Sequence, residues 1–78
     1  MISIECFGSS SAGNCYRIKS SVNGDELLLD VGLPFKTIQR ACRYNFLHLL
    51  GAVVTHQHGD HSRAVADMLK LGHKIYML

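Results

Sequence analysis

Residues 55–62 of this 78-residue chain read THQHGDHS and bring three imidazoles and one carboxylate together within six positions. The groups belong to His56, His58, Asp60 and His61. A lone histidine is usually a polar residue with a hydrogen bond, but clustered imidazoles need a ligand to offset their crowding and desolvation. Imidazole and carboxylate are both common ligands of zinc. The stretch therefore predicts a metal site.

The sequence on either side places this cluster between a strand and a helix. GAVVT, just before it, is apolar and β-branched and predicts a buried strand. SRAVADMLKLG, which follows, carries Ala64, Val65, Met68 and Leu69 on one helical face and ends at a glycine suited to a helix C-terminus. The cluster is thus expected where a strand gives way to a helix.

The spacing suggests two pairs of ligands. Side chains two apart on an extended backbone point the same way, so His56 and His58 are expected to hold one ion. Gly59 is expected to let the backbone turn sharply, so that Asp60 and His61 reach a second ion beside the first. Two ions ~3.5–4 Å apart activate water in phosphatases and nucleases. These ligand types leave the metal open between zinc and manganese.

The remaining segments predict an α/β (α+β) domain with the order βββ-α-β-α-β. Asn23-Gly24 is a strong hairpin signal, GSSSAGN at 8–14 predicts a loop, and residues 35–42 have the spacing of an amphipathic helix. The remaining strands are predicted in ISIECF, CYRIKS, ELLLDV and HKIYML. Residues 1–78 are expected to form a single incomplete domain, because the last predicted strand has no turn or helix after it.

Composition limits the classes of function. The net charge is +2 with histidines neutral and 47% of residues are hydrophobic, which fits a globular domain and argues for neither nucleic acid nor a membrane surface. No apolar run approaches the ~20 residues of a transmembrane helix, and the start does not resemble a signal peptide. Three widely spaced cysteines without a CxxC pair fit a reducing compartment, so a cytoplasmic location is expected.

THQHGDH resembles the HxHxDH motif of the metallo-β-lactamase fold hydrolases. LLLDVG is similar to the strand that brings an aspartate, here Asp30, under the metal site of that superfamily. GSSSAGNCYRI resembles the first hairpin of its YycJ/WalJ-like branch, cytoplasmic hydrolases described as DNA exonucleases. The chain aligns in kind with the N-terminal part of such a domain, so the resemblance implies the first portion of an αββα sandwich.

The resemblance also implies roles for individual residues. His56 and His58 would bind the first metal, and Asp60 and His61 the second, with Asp60 also orienting the nucleophilic hydroxide as a catalytic residue. Asp30 would support the ligands without binding metal, although a turn carboxylate at the strand end is an equally good interpretation. The family completes its site with a further histidine for each metal and a bridging aspartate, which would lie well beyond residue 78.

Two functional hypotheses follow. The first is a metal-dependent hydrolase of the phosphodiesterase or nuclease type, whose nucleophile is a metal-bound hydroxide and whose partner is DNA or another phosphodiester. This chain alone is expected to be inactive, because it supplies two ligands per ion. The alternative is a catalytically silent metal-binding module, or one active only when paired with another chain. A homo-oligomer formed through an exposed sheet would be one such pairing.

Overall fold

The computed structural model describes residues 1–56 and 58–78, and its central feature is a five-stranded sheet. The elements in chain order are β1 Ile2–Ser10, β2 Gly13–Ser20, β3 Glu26–Val31, α1 Phe35–Ala41, β4 Leu49–Val54, α2 Gly59–Ser62, α3 Val65–Lys70 and β5 Ile75–Met77. The α/β class is confirmed, and the order differs from the predicted one only in that two short helices replace the second helix.

The split of that helix has a physical cause at the end of β3. The backbone N–H of Ala64 donates to the carbonyl of Val31 at 2.8 Å, which ties this residue to the strand. Ala64 takes φ −93° and ψ 3°, outside the helical region. The prediction of one continuous helix from residue 62 is therefore wrong. A tertiary hydrogen bond interrupts it and turns α3 onto the sheet.

The strands are neighbours in the order β1-β2-β3-β4-β5. The first three form antiparallel hairpins, and β3, β4 and β5 are parallel. The predicted turn at Asn23-Gly24 joins β2 to β3, and Gly24 takes the positive φ of 78° that such a turn uses. The parallel connections need crossovers, which α1 and the α2–α3 pair provide.

The Gly- and Ser-rich segment at 8–14 is not a loop. Gly8, Ser9 and Ser10 pair with Cys15, Asn14 and Gly13, so β1 and β2 continue to a turn at residues 11 and 12. The predicted loop is wrong because backbone pairing needs no large side chain. The strand ladder extends through small residues where the two backbones lie side by side.

One face of the sheet carries the core. Residues of the strands pack there against Ile38 of α1, Met68 of α3 and Ala64 between α2 and α3. The buried apolar residues are Cys15, Leu28, Val31, Ile38, Cys42, Ala52, Val54, Ala64 and Met68. Burial raises the pKa of the Cys15 thiol to about 12, and it also raises the pKa of Cys42, so both behave as small core hydrophobes.

The opposite face is apolar and open, and we call it the open face. The cross-strand register places Ile4, Ile18 and Leu27 in one row and Tyr16, Leu29 and Val53 in the next. Ile2 and Ile4 are each 69% exposed, and Tyr76 of β5 is 53% exposed. A sheet with one covered face leaves such a surface available for association. Homo-oligomer formation through it stays a prediction.

Among the residues that the structure describes, no helix is long and apolar enough to cross a membrane.

Candidate metal centre

The candidate site lies where β3 and β4 end. These strands are parallel neighbours, with Leu29 paired to Val53, so their carboxyl ends meet at one edge of the sheet. Asp30 lies at the end of β3, and Thr55 follows the last residue of β4. The cluster of the HxHxDH motif begins immediately afterwards, at His56. Gln57, the next residue of the motif, lies outside the described residues.

A β-bulge directs Asp30 toward the cluster. The register between β2 and β3 passes from Tyr16 opposite Leu29 to Cys15 opposite Val31, which leaves Asp30 as the extra residue. Its φ of 60° is left-handed, a conformation that aspartate adopts more readily than most residues. Bulges beside active sites commonly redirect a side chain in this way. Left-handed backbone conformations also cluster at functional sites.

The Asp30 carboxylate accepts three kinds of hydrogen bond. The backbone N–H of Thr55 donates to Oδ1 at 2.8 Å, the Thr55 hydroxyl lies 3.0–3.1 Å from both oxygens, and Nδ1 of His61 lies 2.9 Å from Oδ2. Burial raises the pKa of Asp30, but the hydrogen bonds together lower it by more than burial raises it. The pKa of Asp30 therefore lies below its usual value. Asp30 is therefore a buried, ionised acceptor beside the cluster.

Asp60 and His61 are held through their backbone at the entrance to α2. The side-chain amide of Asn14 donates to the Asp60 carbonyl at 3.1 Å. Gly32, just after β3, lies against the same peptide: a Cβ at this position would overlap the Asp60 carbonyl and lie 2.7 Å from the His61 nitrogen. Only glycine permits this close approach without a shift of the backbone. The first turn of α2 is thus packed directly onto the strand end.

The side chains of Asp60 and His61 face each other. Nε2 of His61 lies 3.5 Å from Oδ2 of Asp60. When the His61 ring is neutral and Nδ1 donates to the Asp30 carboxylate, Nε2 carries a lone pair. Two lone-pair atoms then face each other, and a proton or a cation between them would relieve their repulsion. Two ligand atoms of one tetrahedral zinc lie about 3.3–3.4 Å apart, given Zn–N and Zn–O distances near 2.0–2.1 Å.

The first pair of predicted ligands is less closely assembled. The ring centres of His56 and His58 are 6.4 Å apart, whereas those of His56 and His61 are 4.6 Å apart. Two imidazoles on one tetrahedral zinc place their ring centres about 5 Å apart. His58 contributes its carbonyl to α2, where it accepts from the His61 and Ser62 amides. The structure therefore brings His56 beside His61 and leaves the His58 ring farther away.

The residues present fit a divalent cation in part. Asp60 and His61 have the spacing of two ligands, and the His56 ring lies next to them. Among the residues that the structure describes, no three His, Cys, Asp or Glu side chains are placed to hold one ion. The assignment of His56 and His58 to one metal and of Asp60 and His61 to another stays a prediction.

Gly59 does not use the conformational freedom for which the sequence analysis chose it. The glycines with positive φ among the described residues are Gly24, Gly51 and Gly72, and Gly59 is simply the first residue of α2. His58 is the N-cap of α2 and is extended, with φ −86° and ψ 151°, so the change from extended to helical backbone falls between His58 and Gly59.

Sequence reasoning missed three residues that shape the site. They are Thr55, which bridges Asp30 to the cluster, Gly32, which accommodates α2, and Asn14, which holds the Asp60 carbonyl. A glycine directly after a buried strand was the available signal for Gly32, since it marks close backbone approach. Asn14 could not be found, because its partner is 46 residues away in the sequence.

A second polar feature lies at the other end of β3, away from the cluster. It is a cavity of about 360 Å³, in which Arg17 forms ion pairs with Glu5 and with Glu26, the latter at 3.6 Å. Its lining residues are Glu5, Arg17, Lys19, Glu26, Ala41, Cys42, Arg43 and Asn45. These charges largely satisfy one another, so the cavity adds nothing to the chemistry of the histidines.

The fold matches part of the fold of known metallo-β-lactamases. The chain superposes on a crystal structure of the DIM-1 metallo-β-lactamase exposed to ceftazidime with a TM-score of 0.61 and 17% identity, covering 97% of this chain and 37% of that one. A second structure of the DIM-1 enzyme gives a TM-score of 0.60 and 18% identity, covering 97% of this chain and 41% of that one. No protein-family model and no curated protein matches the sequence.

At such low identity the likeness shows the fold alone. The expected partial metallo-β-lactamase fold is confirmed, and the chain spans about two fifths of the length of these structures. The YycJ/WalJ-like branch is not supported by these neighbours and stays a prediction from the GSSSAGNCYRI segment.

Proposed function

We propose that this chain provides the metal-binding strand ends of a metal-dependent hydrolase. The observation that carries the proposal is the pair formed by His61 Nε2 and Asp60 Oδ2, 3.5 Å apart, with the far side of the imidazole fixed by the buried Asp30. A carboxylate that holds the far side of an imidazole is common in metal sites, where it orients the ligating ring.

The ligands would come from the two ends of the cluster. Asp60 and His61 would hold one divalent ion, zinc or manganese, and His56 and His58 a second. A bound ion of this type supplies a nucleophile at neutral pH, because it lowers the pKa of water to about 7. The Asp60 side chain is about one third exposed and borders the solvent, and in this proposal it would orient the attacking water.

The proposed substrate class is a phosphodiester, with DNA as one member. Its support is the resemblance of GSSSAGNCYRI to the exonuclease branch, and the hairpin that contains this segment contacts the site through Asn14. The DIM-1 structures carry the name of β-lactamases, so a β-lactam is the natural competing substrate to assay. A cytoplasmic location is proposed with the phosphodiester, on the basis of the three free thiols.

A specific observation favours the second candidate, a module that is active only with another chain. The described residues place no three ligands around one ion, and the open face of the sheet is apolar. A second polypeptide packed on that face could bring the missing ligands. Isolated ions with two protein ligands each would position the nucleophile loosely, and about 1 Å of misplacement can cost on the order of 100-fold in rate.

The test is turnover of a chromogenic phosphodiester, double-stranded DNA and a β-lactam at saturating Zn²⁺ or Mn²⁺. We expect little turnover by the 78-residue chain, and phosphodiester cleavage by any longer form of the protein that adds further histidine and carboxylate ligands. Chelation and Asp60→Ala should abolish that cleavage. Cleavage that survives Asp60→Ala would contradict the proposed function, and cleavage of the β-lactam alone would contradict the substrate class.

A further inference from the structure

The hydroxyl of Thr55 lies between the buried carboxylate and the first histidine of the cluster. Its Oγ1 is 3.0 Å from Oδ2 and 3.1 Å from Oδ1 of Asp30, and 2.9 Å from Nδ1 of His56. A hydroxyl has one proton to donate and lone pairs to accept with. The three contacts together therefore determine where each proton lies.

The Asp30 carboxylate decides to which partner the Thr55 hydroxyl donates its proton. An ionised carboxylate can only accept, so the Thr55 hydroxyl must donate its single proton to Asp30. If it donated to His56 instead, its oxygen would face two carboxylate oxygens at 3.0–3.1 Å without a proton between them. The Thr55 oxygen then accepts from His56, which requires the proton on Nδ1.

The same carboxylate fixes the second imidazole directly. Nδ1 of His61 lies 2.9 Å from Asp30 Oδ2, and a neutral ring can make this bond only with its proton on Nδ1. Both rings would then present an unprotonated Nε2. Their ring centres are 4.6 Å apart, so the two lone pairs lie in one small region.

We infer that Thr55 is a positioning residue that passes the influence of Asp30 on to His56, so that one buried carboxylate holds both His56 and His61 in the Nδ1–H tautomer. This inference rests on the proposed function for its purpose, because Nε2 is then the ligand atom of both rings. It concerns the metal-free chain itself, so it can fail while metal binding stands.

The test is the tautomeric state of each imidazole in the metal-free chain, read from two-dimensional ¹H–¹⁵N spectra that correlate ring carbon protons with ring nitrogens. The spectra are recorded at about pH 9, well above the ordinary histidine pKa of about 6.5, so that the rings are neutral. We expect His56 and His61 to give the Nδ1–H pattern in wild type. A wild-type His56 with its proton on Nε2 would overturn the inference whatever the variants do.

Three variants sharpen the measurement. Thr55→Val keeps the side-chain shape but removes the hydroxyl, so His56 should lose the Nδ1–H pattern while His61 keeps it. Thr55→Ser should restore the wild-type pattern, and Thr37→Val, on the exposed side of α1, should leave both rings unchanged. An unchanged His56 in a folded Thr55→Val protein would also overturn the inference.

Zinc titration of the same proteins links the tautomer to the site. Outer partners of metal ligands typically contribute 10–100-fold in affinity, so Thr55→Val should weaken zinc binding by roughly 10-fold or more. The Thr55→Ser protein should bind like wild type. A Thr55→Val protein that has lost the His56 tautomer but binds zinc with wild-type affinity would show that the tautomer does not serve the metal, and would overturn that part of the inference.

Discussion

The two ends of the histidine cluster are built differently. Asp60 and His61 lie on the first turn of α2, and Gly32 and Asn14 contact the backbone of this turn. The His61 imidazole is also held by Asp30. His56 and His58 lie between β4 and α2, and the contact that orients His56 is the one with Thr55. Backbone packing therefore brings one pair of predicted ligands together in advance, whereas the other pair depends on side-chain contacts.

The largest expected effect separates the two ends directly. Asp60→Ala combined with His61→Ala should reduce zinc affinity by about 100-fold or more, because it removes the pair that is already spaced for one ion. His56→Ala combined with His58→Ala should remove most of the metal that the other pair does not bind. It should reduce the affinity of the tightest site less than the first double variant does. Isothermal titration of both double variants measures these affinities, and equal losses would contradict the difference between the two ends of the cluster.

The second prediction concerns the carboxylate that both ends share. Asp30→Asn keeps the size of the side chain but replaces one acceptor oxygen with a donor, so it cannot accept from both Thr55 and His61 as before. Zinc affinity should fall by about 10–100-fold, the range found for partners of ligating histidines. Asp25→Asn, at a partly exposed residue between the β2–β3 turn and β3, is the matched control and should bind normally. Unchanged affinity in Asp30→Asn would favour the interpretation of Asp30 as a turn residue only.

The third prediction tests the backbone contact under α2. Gly32→Ala places a methyl group against the Asp60 peptide and should cost about 1–3 kcal/mol of the free energy of unfolding, as overpacking does. Gly59→Ala is the control, because nothing lies within 4 Å of its added Cβ and its backbone is helical. Urea unfolding measures both. A Gly32→Ala protein as stable as Gly59→Ala would mean that α2 is not packed on the strand end.

Only part of the fold and of the candidate site could be predicted from the sequence. The strands, the Asn23-Gly24 turn and the identity of the clustered residues follow from local patterns of hydrophobicity and composition. The bulge at Asp30 and the contact of Gly32 with Asp60 do not, because each depends on a partner in another strand or helix. The break at Ala64 has the same origin, since the hydrogen bond to Val31 competes with the helix.

The smallest expected effect is on acid stability. The pKa of Asp30 is lower in the folded chain than its ordinary value of about 3.9, so its ionised form stabilises the fold above that pH. This contribution is lost as pH falls through the folded-state pKa. The stability difference between wild type and Asp30→Asn should therefore be greatest near pH 7 and should shrink below about pH 4. A difference that grows on acidification would contradict the hydrogen bonding of Asp30.

A zinc titration followed at the ring nitrogens tests whether the cluster binds a divalent metal through its imidazoles. Zinc is added to the ¹⁵N-labelled chain at about pH 7.5 while the ring nitrogens of all five histidines are observed. We expect a large shift of Nε2 in His61 and in His56, with His48 and His73 unchanged. Binding that leaves the ring nitrogens of His56 and His61 unchanged, or no binding at millimolar zinc, would contradict it.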